Sequence, residues 1–169
     1  ANTTGTLLVS VGAWSLAANT TGIRNTAIGY ESMSANTTGS HNTAVGTYAL
    51  ATPTGANANT AVGYYACKST TTGGNNVGVG NSALKANTTG DGNVAIGKEA
   101  LTANTTGSNS IAIGLNALQA QTTGGPNIAI GRDALQSCTS GAEHNIAIGY
   151  DVMEDLTTGD YNTAIGNYS

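Results

Sequence analysis

The residues of this chain able to do chemistry are few: two histidines, two cysteines, five basic side chains and nine acids among 169 residues. A metal site or an acid–base pair needs several of them close together, and their placement argues against each case. His41 and His144 each precede a recurrent Asn, six repeat units apart, which is roughly 29 Å along a stack with β-sheet spacing. No metal takes both from one chain. Three copies of one histidine around an axis would be the remaining route, and an exposed loop histidine with no ligating neighbour is ordinarily only polar. The acids fall on different units with no recurrent pair, no Ser-His-Asp arrangement emerges, and the calcium-binding pattern G-G-x-G-x-D is missing. Gly78 and Gly80 in NNVGVGNSA imitate a phosphate loop, but they belong to columns of the repeat, and a lone match of that kind is noise. The expectation is no catalytic residue, no metal ligand, no cofactor and no enzyme.

Cys67 and Cys138 stand four units apart, about 19 Å by the same spacing, where a disulfide needs Cα atoms within about 7 Å. Both are expected to be reduced, with Cys67 a small core residue.

Composition narrows the partners. Charged residues make up 8% of the chain, Phe is absent and Gly occurs 24 times, while the 39% of hydrophobic residues is largely Ala. Any core must be thin and built from small side chains. A net charge of -4 with the basic residues spread singly offers nothing to neutralise a run of phosphates, so nucleic acid is not an expected partner. No stretch approaches the roughly 18 apolar residues that would span a bilayer, and the first residues lack the basic and apolar regions of a signal peptide. This segment is expected neither to insert in a membrane nor to announce its export.

The elements that position these residues are set by repetition. Gly12, Gly29, Gly46, Gly63, Gly80, Gly97, Gly114, Gly131, Gly149 and Gly166 recur every 17 residues, with a single step of 18. The unit reads N-T-A-I-G-Y-x-A-L-x-A-N-T-T-G-x-x. Ten near-copies cover residues 1-169 as a single domain, read as a segment of a longer fibre. Helical-hairpin repeats and propeller blades need about 34 to 45 residues, whereas 17 fit one coil of a parallel β-solenoid. Thr26-Ala27-Ile28 and Ile111-Ala112-Ile113 have the alternation of a strand. A-L-x-A is too short and too interrupted by Gly, Asn and Thr to be a stable helix, and is read as a second strand or a turn. Ten coils at about 4.8 Å give an all-β rod on the order of 50 Å long.

Constancy between copies separates inside from outside. The residue before the glycine is always Ile or Val, as at Ile28, Ile96, Ile113 and Ile130, and four places after that glycine comes Leu84, Leu101, Leu118 or Leu135, replaced by Met33 and Cys67 in other units. These two columns are expected to fill the coil. Ala27, Ala44, Ala61, Ala95, Ala112, Ala129, Ala147 and Ala164 then point the opposite way from Ile. Either a neighbouring chain packs closely on that small column, or a tight coil admits nothing larger there. Asn25, Asn42, Asn59, Asn76, Asn93, Asn127, Asn145 and Asn162 form one amide column, and Asn2, Asn19, Asn36, Asn87 and Asn104 a second, read as ladders at the corners. The Asn-Thr-Thr triplets satisfy the N-glycosylation pattern only because the repeat is rich in Thr.

Variation marks the surface. The two positions after the repeat glycine change freely and supply Trp14, Tyr30, Tyr48, Tyr64, Tyr65 and Tyr150, the candidate receptor-facing residues, since an aromatic offers a flat apolar face with a polar edge to a sugar. These rings would otherwise lean on neighbouring coils or chains.

The N-T-A-I-G-Y-x-A-L unit resembles the repeat of the YadA-like head of trimeric autotransporter adhesins, and with A-N-T-T-G it is similar to repeats of bacteriophage tail-fibre proteins. The resemblance spans all ten units. It implies a left-handed parallel β-roll, a homotrimer, and an extracellular place on a cell surface or virion fibre. The adhesin heads have shorter coils, and no stalk, anchor or chaperone domain is recognisable here. The function expected is a structural and adhesive rod that presents its variable polar-aromatic face to a carbohydrate or protein receptor. A filament subunit stacking end to end is the alternative, and ice binding through Thr ladders ranks last, because adjacent Thr residues point opposite ways in a strand.

Overall fold

The computed structural model describes residues 2–169. Ten strands of three residues follow one another: β1 (Val9–Val11), β2 (Thr26–Ile28), β3 (Thr43–Val45), β4 (Thr60–Val62), β5 (Val77–Val79), β6 (Val94–Ile96), β7 (Ile111–Ile113), β8 (Ile128–Ile130), β9 (Ile146–Ile148) and β10 (Thr163–Ile165). They form one parallel sheet in chain order, each strand opposite the same three positions of the next. The chain is therefore an all-β parallel solenoid, one strand per coil, with no helix among the described residues. The single 18-residue step lies between β8 and β9, where Ile128 still faces Ile146, and a turn at 140–141 takes up the extra residue.

Short strands hold together because bonding between coils continues around the perimeter. In one coil Glu99 N–H donates to Asn81 C=O at 2.9 Å, Leu101 N–H to Ala117 C=O at 2.9 Å, Thr105 N–H to Thr122 C=O at 2.7 Å and Asn109 N–H to Asp91 C=O at 2.9 Å. A chain that turns corners this tightly must keep its peptides aligned with the rod axis. Three columns of left-handed residues do so: Glu99 (φ 59), Leu101 (φ 51) and Asn109 (φ 61) mark them in this coil. Left-handed conformation costs roughly 1–2 kcal/mol per residue, offset here by an axial hydrogen bond at each kink. The A-L-x-A stretch is this turn, not a second strand.

The coil is filled differently from the sequence expectation. Leu84, Leu101, Leu118 and Leu135 are fully buried, as expected, but the strand points its alanine at them. Ala27, Ala44, Ala61, Ala95, Ala112, Ala129 and Ala147 are 0% exposed, and Ala164 is half-buried, so this column does not face a neighbouring chain. Ile28 and Ile96 are exposed, Ile113 and Ile130 half-buried, and all four lie on the outside of the sheet. The reason is width. Leucine from the opposite wall occupies the gap, leaving room for one methyl per strand, and the two β-branched residues flanking the alanine share the other face. Gly78 in β5 shows how close the fit is: a Cβ there would lie 2.4 Å from Cys67 Sγ.

The other half of the interior is polar. Asn42 Nδ2 donates to Ala56 C=O at 2.8 Å, Asn59 Nδ2 to Gly73 C=O at 2.9 Å and Asn76 Nδ2 to Gly90 C=O at 2.8 Å. Each Oδ1 accepts the backbone N–H of the Asn one coil on, as Asn42 Oδ1 does from Asn59 at 2.9 Å. In the second column Asn104 Nδ2 donates to Asn87 Oδ1 at 3.0 Å and Gly107 C=O at 2.9 Å. Burial of these amides is tolerable because most of their polar atoms are paired; Asn36 Oδ1 and Asn104 Oδ1 are buried without a partner, and an orphaned group costs about 1–3 kcal/mol. Asn19, Asn36, Asn87 and Asn104 are fully buried, which removes the Asn-Thr-Thr triplets they head as accessible glycosylation sites. The ladder also explains the glycine of T-T-G, since a Cβ on Gly90 would lie 2.4 Å from Asn87 Oδ1.

Candidate interaction surfaces

Two surfaces stand out. The first is the outer face of the sheet. Because every strand is in register, positions such as Thr26 and Ile28 become two straight columns about 4.8 Å apart per rung. From β5 to β9 both columns are wholly aliphatic: Val77 and Val79, Val94 and Ile96, Ile111 and Ile113, Ile128 and Ile130, Ile146 and Ile148. Along one edge Ile111, Ile128 and Ile146 meet Asn109, Pro126 and His144 around a shallow groove of about 240 Å³.

The second surface is the corner that follows each repeat glycine, whose side chains are thrown outward by the left-handed turn at Trp14 (φ 63), Tyr48 (φ 57) and Tyr65 (φ 58). Four of the six receptor-facing candidates come together here. Tyr48 lies between Tyr30 and Tyr64, edge-on to both with ring centroids 5.5 and 6.5 Å away, and stacks on Tyr65 at 5.2 Å. Tyr64 and Tyr65 are 3.9 Å apart. Much of each ring therefore leans on its neighbours, while Tyr30 and Tyr64 stay 43% and 45% exposed. Trp14 is exposed one coil before Tyr30 and Glu31. Tyr150 lies five coils beyond Tyr64, about 24 Å away, against Tyr168 and the Arg132 guanidinium.

Sequence reading missed two members of this corner. Lys68 Nζ sits 4.6 Å from the centre of the Tyr65 ring and 5.8 Å from that of Tyr48, and Lys85 Nζ is 5.5 Å from Tyr65. Their signal was present: both follow the Leu column, in consecutive coils.

The remaining polar groups do not converge. His41 Nε2 pairs with Arg24 Nη1 at 3.1 Å and His144 stacks on Tyr161 at 4.9 Å, both exposed. Among the described residues no three His, Cys, Asp or Glu side chains are grouped to hold a metal. Asp133 binds Arg132 Nε at 2.8 Å, a contact that holds the guanidinium above its ordinary pKa. Glu154 is raised by partial burial and then by the carboxylates of Asp151, Asp155 and Asp133. Cys67 and Cys138 are free and buried, and burial pushes their thiols up to about 12 and about 11.

The Thr-Thr pair divides its hydroxyls. Thr88 and Thr105 Oγ1 donate to the carbonyls of Thr105 and Thr122 at 2.9 and 3.1 Å, while Thr89 and Thr106 are exposed. That leaves one free threonine ladder from these pairs, not two.

No family model, curated protein or solved structure matches the chain.

Proposed function

We propose that the chain is a structural and adhesive rod, one strand of a trimeric fibre on a cell surface or virion, whose tyrosine corner meets a carbohydrate or protein receptor. The observation that carries the reading is the unbroken aliphatic run on the outer sheet face from Val77 to Ile148. Straight columns of half-exposed Val and Ile are poor company for water, and contiguous apolar patches of a few hundred Å² mark interaction sites. Covering them contributes on the order of 1 kcal/mol per residue. In this reading the chains pack through that face, and the stoichiometry of three follows the likeness of N-T-A-I-G-Y-x-A-L to trimeric adhesin heads. A rod that leaves its variable corner free is suited to contact with other surfaces.

Light scattering across a dilution series tests the assembly. A fixed mass of three chains supports the fibre. Open-ended growth with concentration favours end-to-end stacking instead, and a stable monomer contradicts the proposal.

A further inference from the structure

We infer that the tyrosine corner takes an acidic polysaccharide, its sugar rings against Tyr30 and Tyr64 and its carboxylates or sulfates on Lys68 and Lys85. The inference rests on the receptor-contact reading above and gives it a ligand class.

Three observations carry it. The rings form a platform fixed by their own contacts: Tyr48 is held between Tyr30 and Tyr64 and stacked on Tyr65. Little side-chain freedom is left to lose on binding, and the exposed rings of Tyr30 and Tyr64 offer apolar faces to pyranose C–H groups, with phenol oxygens at the rim. Two of the five basic residues of an acidic chain converge on this one platform. Neither makes a salt bridge among the described residues, so their ammonium donors face solvent with the ring behind them. Finally, charge is segregated along the rod. Asp133, Glu143, Asp151, Glu154, Asp155 and Asp160, six of the nine acids, lie on its last coils, and Glu31 is the acid beside the tyrosines. An anion is thus steered toward the tyrosine end.

Rival occupants fit less well. A protein interface centres on an apolar core, and here the aliphatic residues are on the sheet face, while Thr47, Asn81 and Ser82 surround the rings. A nucleic acid strand needs cations along its length, and two lysines on a chain of net charge -4 do not supply them.

The test is titration of the assembled protein with four probes: a heparin oligosaccharide, a neutral chitin oligosaccharide, poly-glutamate of similar length and a single-stranded oligonucleotide. Heparin should bind, more weakly as salt rises, and the other three should bind at least about tenfold less tightly. Lys68→Gln with Lys85→Gln, and separately Tyr64→Ser, should each weaken heparin about tenfold, with β content and assembled mass unchanged. Arg132→Gln, on the distant coil, should leave it unaltered. Equal binding of the neutral sugar overturns the acidic specificity while leaving glycan contact in place. Equal binding of poly-glutamate, or tighter binding of the oligonucleotide, overturns the saccharide. No binding to any probe by a protein of unchanged mass overturns the inference and leaves the fibre standing.

Discussion

Ser110 and Gln121 exchange the roles of the two asparagines found elsewhere in the ladders: Gln121 Nε2 donates to Ser110 Oγ at 3.0 Å, and Gln121 Oε1 accepts Asn127 Nδ2 at 2.9 Å. Where one column loses length, the other gains it, and the longer amide crosses the gap. The two substitutions are one event in energetic terms. Ser110→Asn alone meets the Gln121 side chain, and Gln121→Asn alone takes one hydrogen bond each from Ser110 Oγ, which keeps the Asn127 N–H, and from Asn127 Nδ2, which keeps the Ala142 carbonyl. Each single change should destabilise by about 1–3 kcal/mol, while the double change restores the common ladder. Denaturant midpoints of the four proteins give the coupling, and additive effects would refute it.

A second pair shows the same logic with a gain. Pro53 occupies the amide column and cannot donate, so Asn36 Oδ1 is buried without a partner. Ala56 stands where most other coils carry the glycine whose Cβ would strike an Asn Oδ1. Pro53→Asn alone should therefore give no benefit. Pro53→Asn with Ala56→Gly should raise stability by about 1–2 kcal/mol, read as a higher unfolding midpoint.

Inside and outside can be separated at neighbouring positions. Ala112→Leu overfills the coil and should cost about 1–3 kcal/mol or more, with loss of β content on mild heating. Ile113→Lys, on the outer face, should leave the coil folded and reduce association. Equal effects on both readouts would mean the strand faces are wrongly assigned.

Alkaline pH should weaken the fold through Cys67. Its folded pKa of about 12 lies above the ordinary 9.0, so between these values the unfolded chain releases a proton that the folded chain keeps. Stability from this group is complete below pH 9.0 and is lost as pH rises toward about 12. Cys67→Ala should flatten that slope in urea titrations at pH 8 to 10, roughly.

The repeat made the solenoid legible, because a 17-residue period excludes helical repeats and blades, and stacking then brings like residues into columns. Leu84 and its equivalents were legible as core from their constancy, and Asn42 and Asn59 as a ladder. Ile28 misleads because a hydrophobic side chain need not be a buried one. Its column is paired across the strand with Thr26, Thr43, Thr60 and Thr163, and a face that tolerates Thr in four coils is an outer one. Ala27 is small because the coil is narrow. Tyr48 and Tyr65 were readable as outward-pointing, although neighbouring rings leave both half-buried, and their contact with Lys68 depends on which columns adjoin after the A-L turn, whose left-handed residues are types that sequence rules place in right-handed or extended backbone.

The central claim is that chains meet through the sheet face and not through the alanine column. With Cys67 and Cys138 replaced by Ala, a cysteine is introduced either at Ile113 or at Ala112, and mild oxidation is followed by mass analysis under denaturing conditions. The account predicts covalent dimers from Ile113→Cys and an unreactive thiol from Ala112→Cys. Dimers from Ala112→Cys, with none from Ile113→Cys, would contradict it.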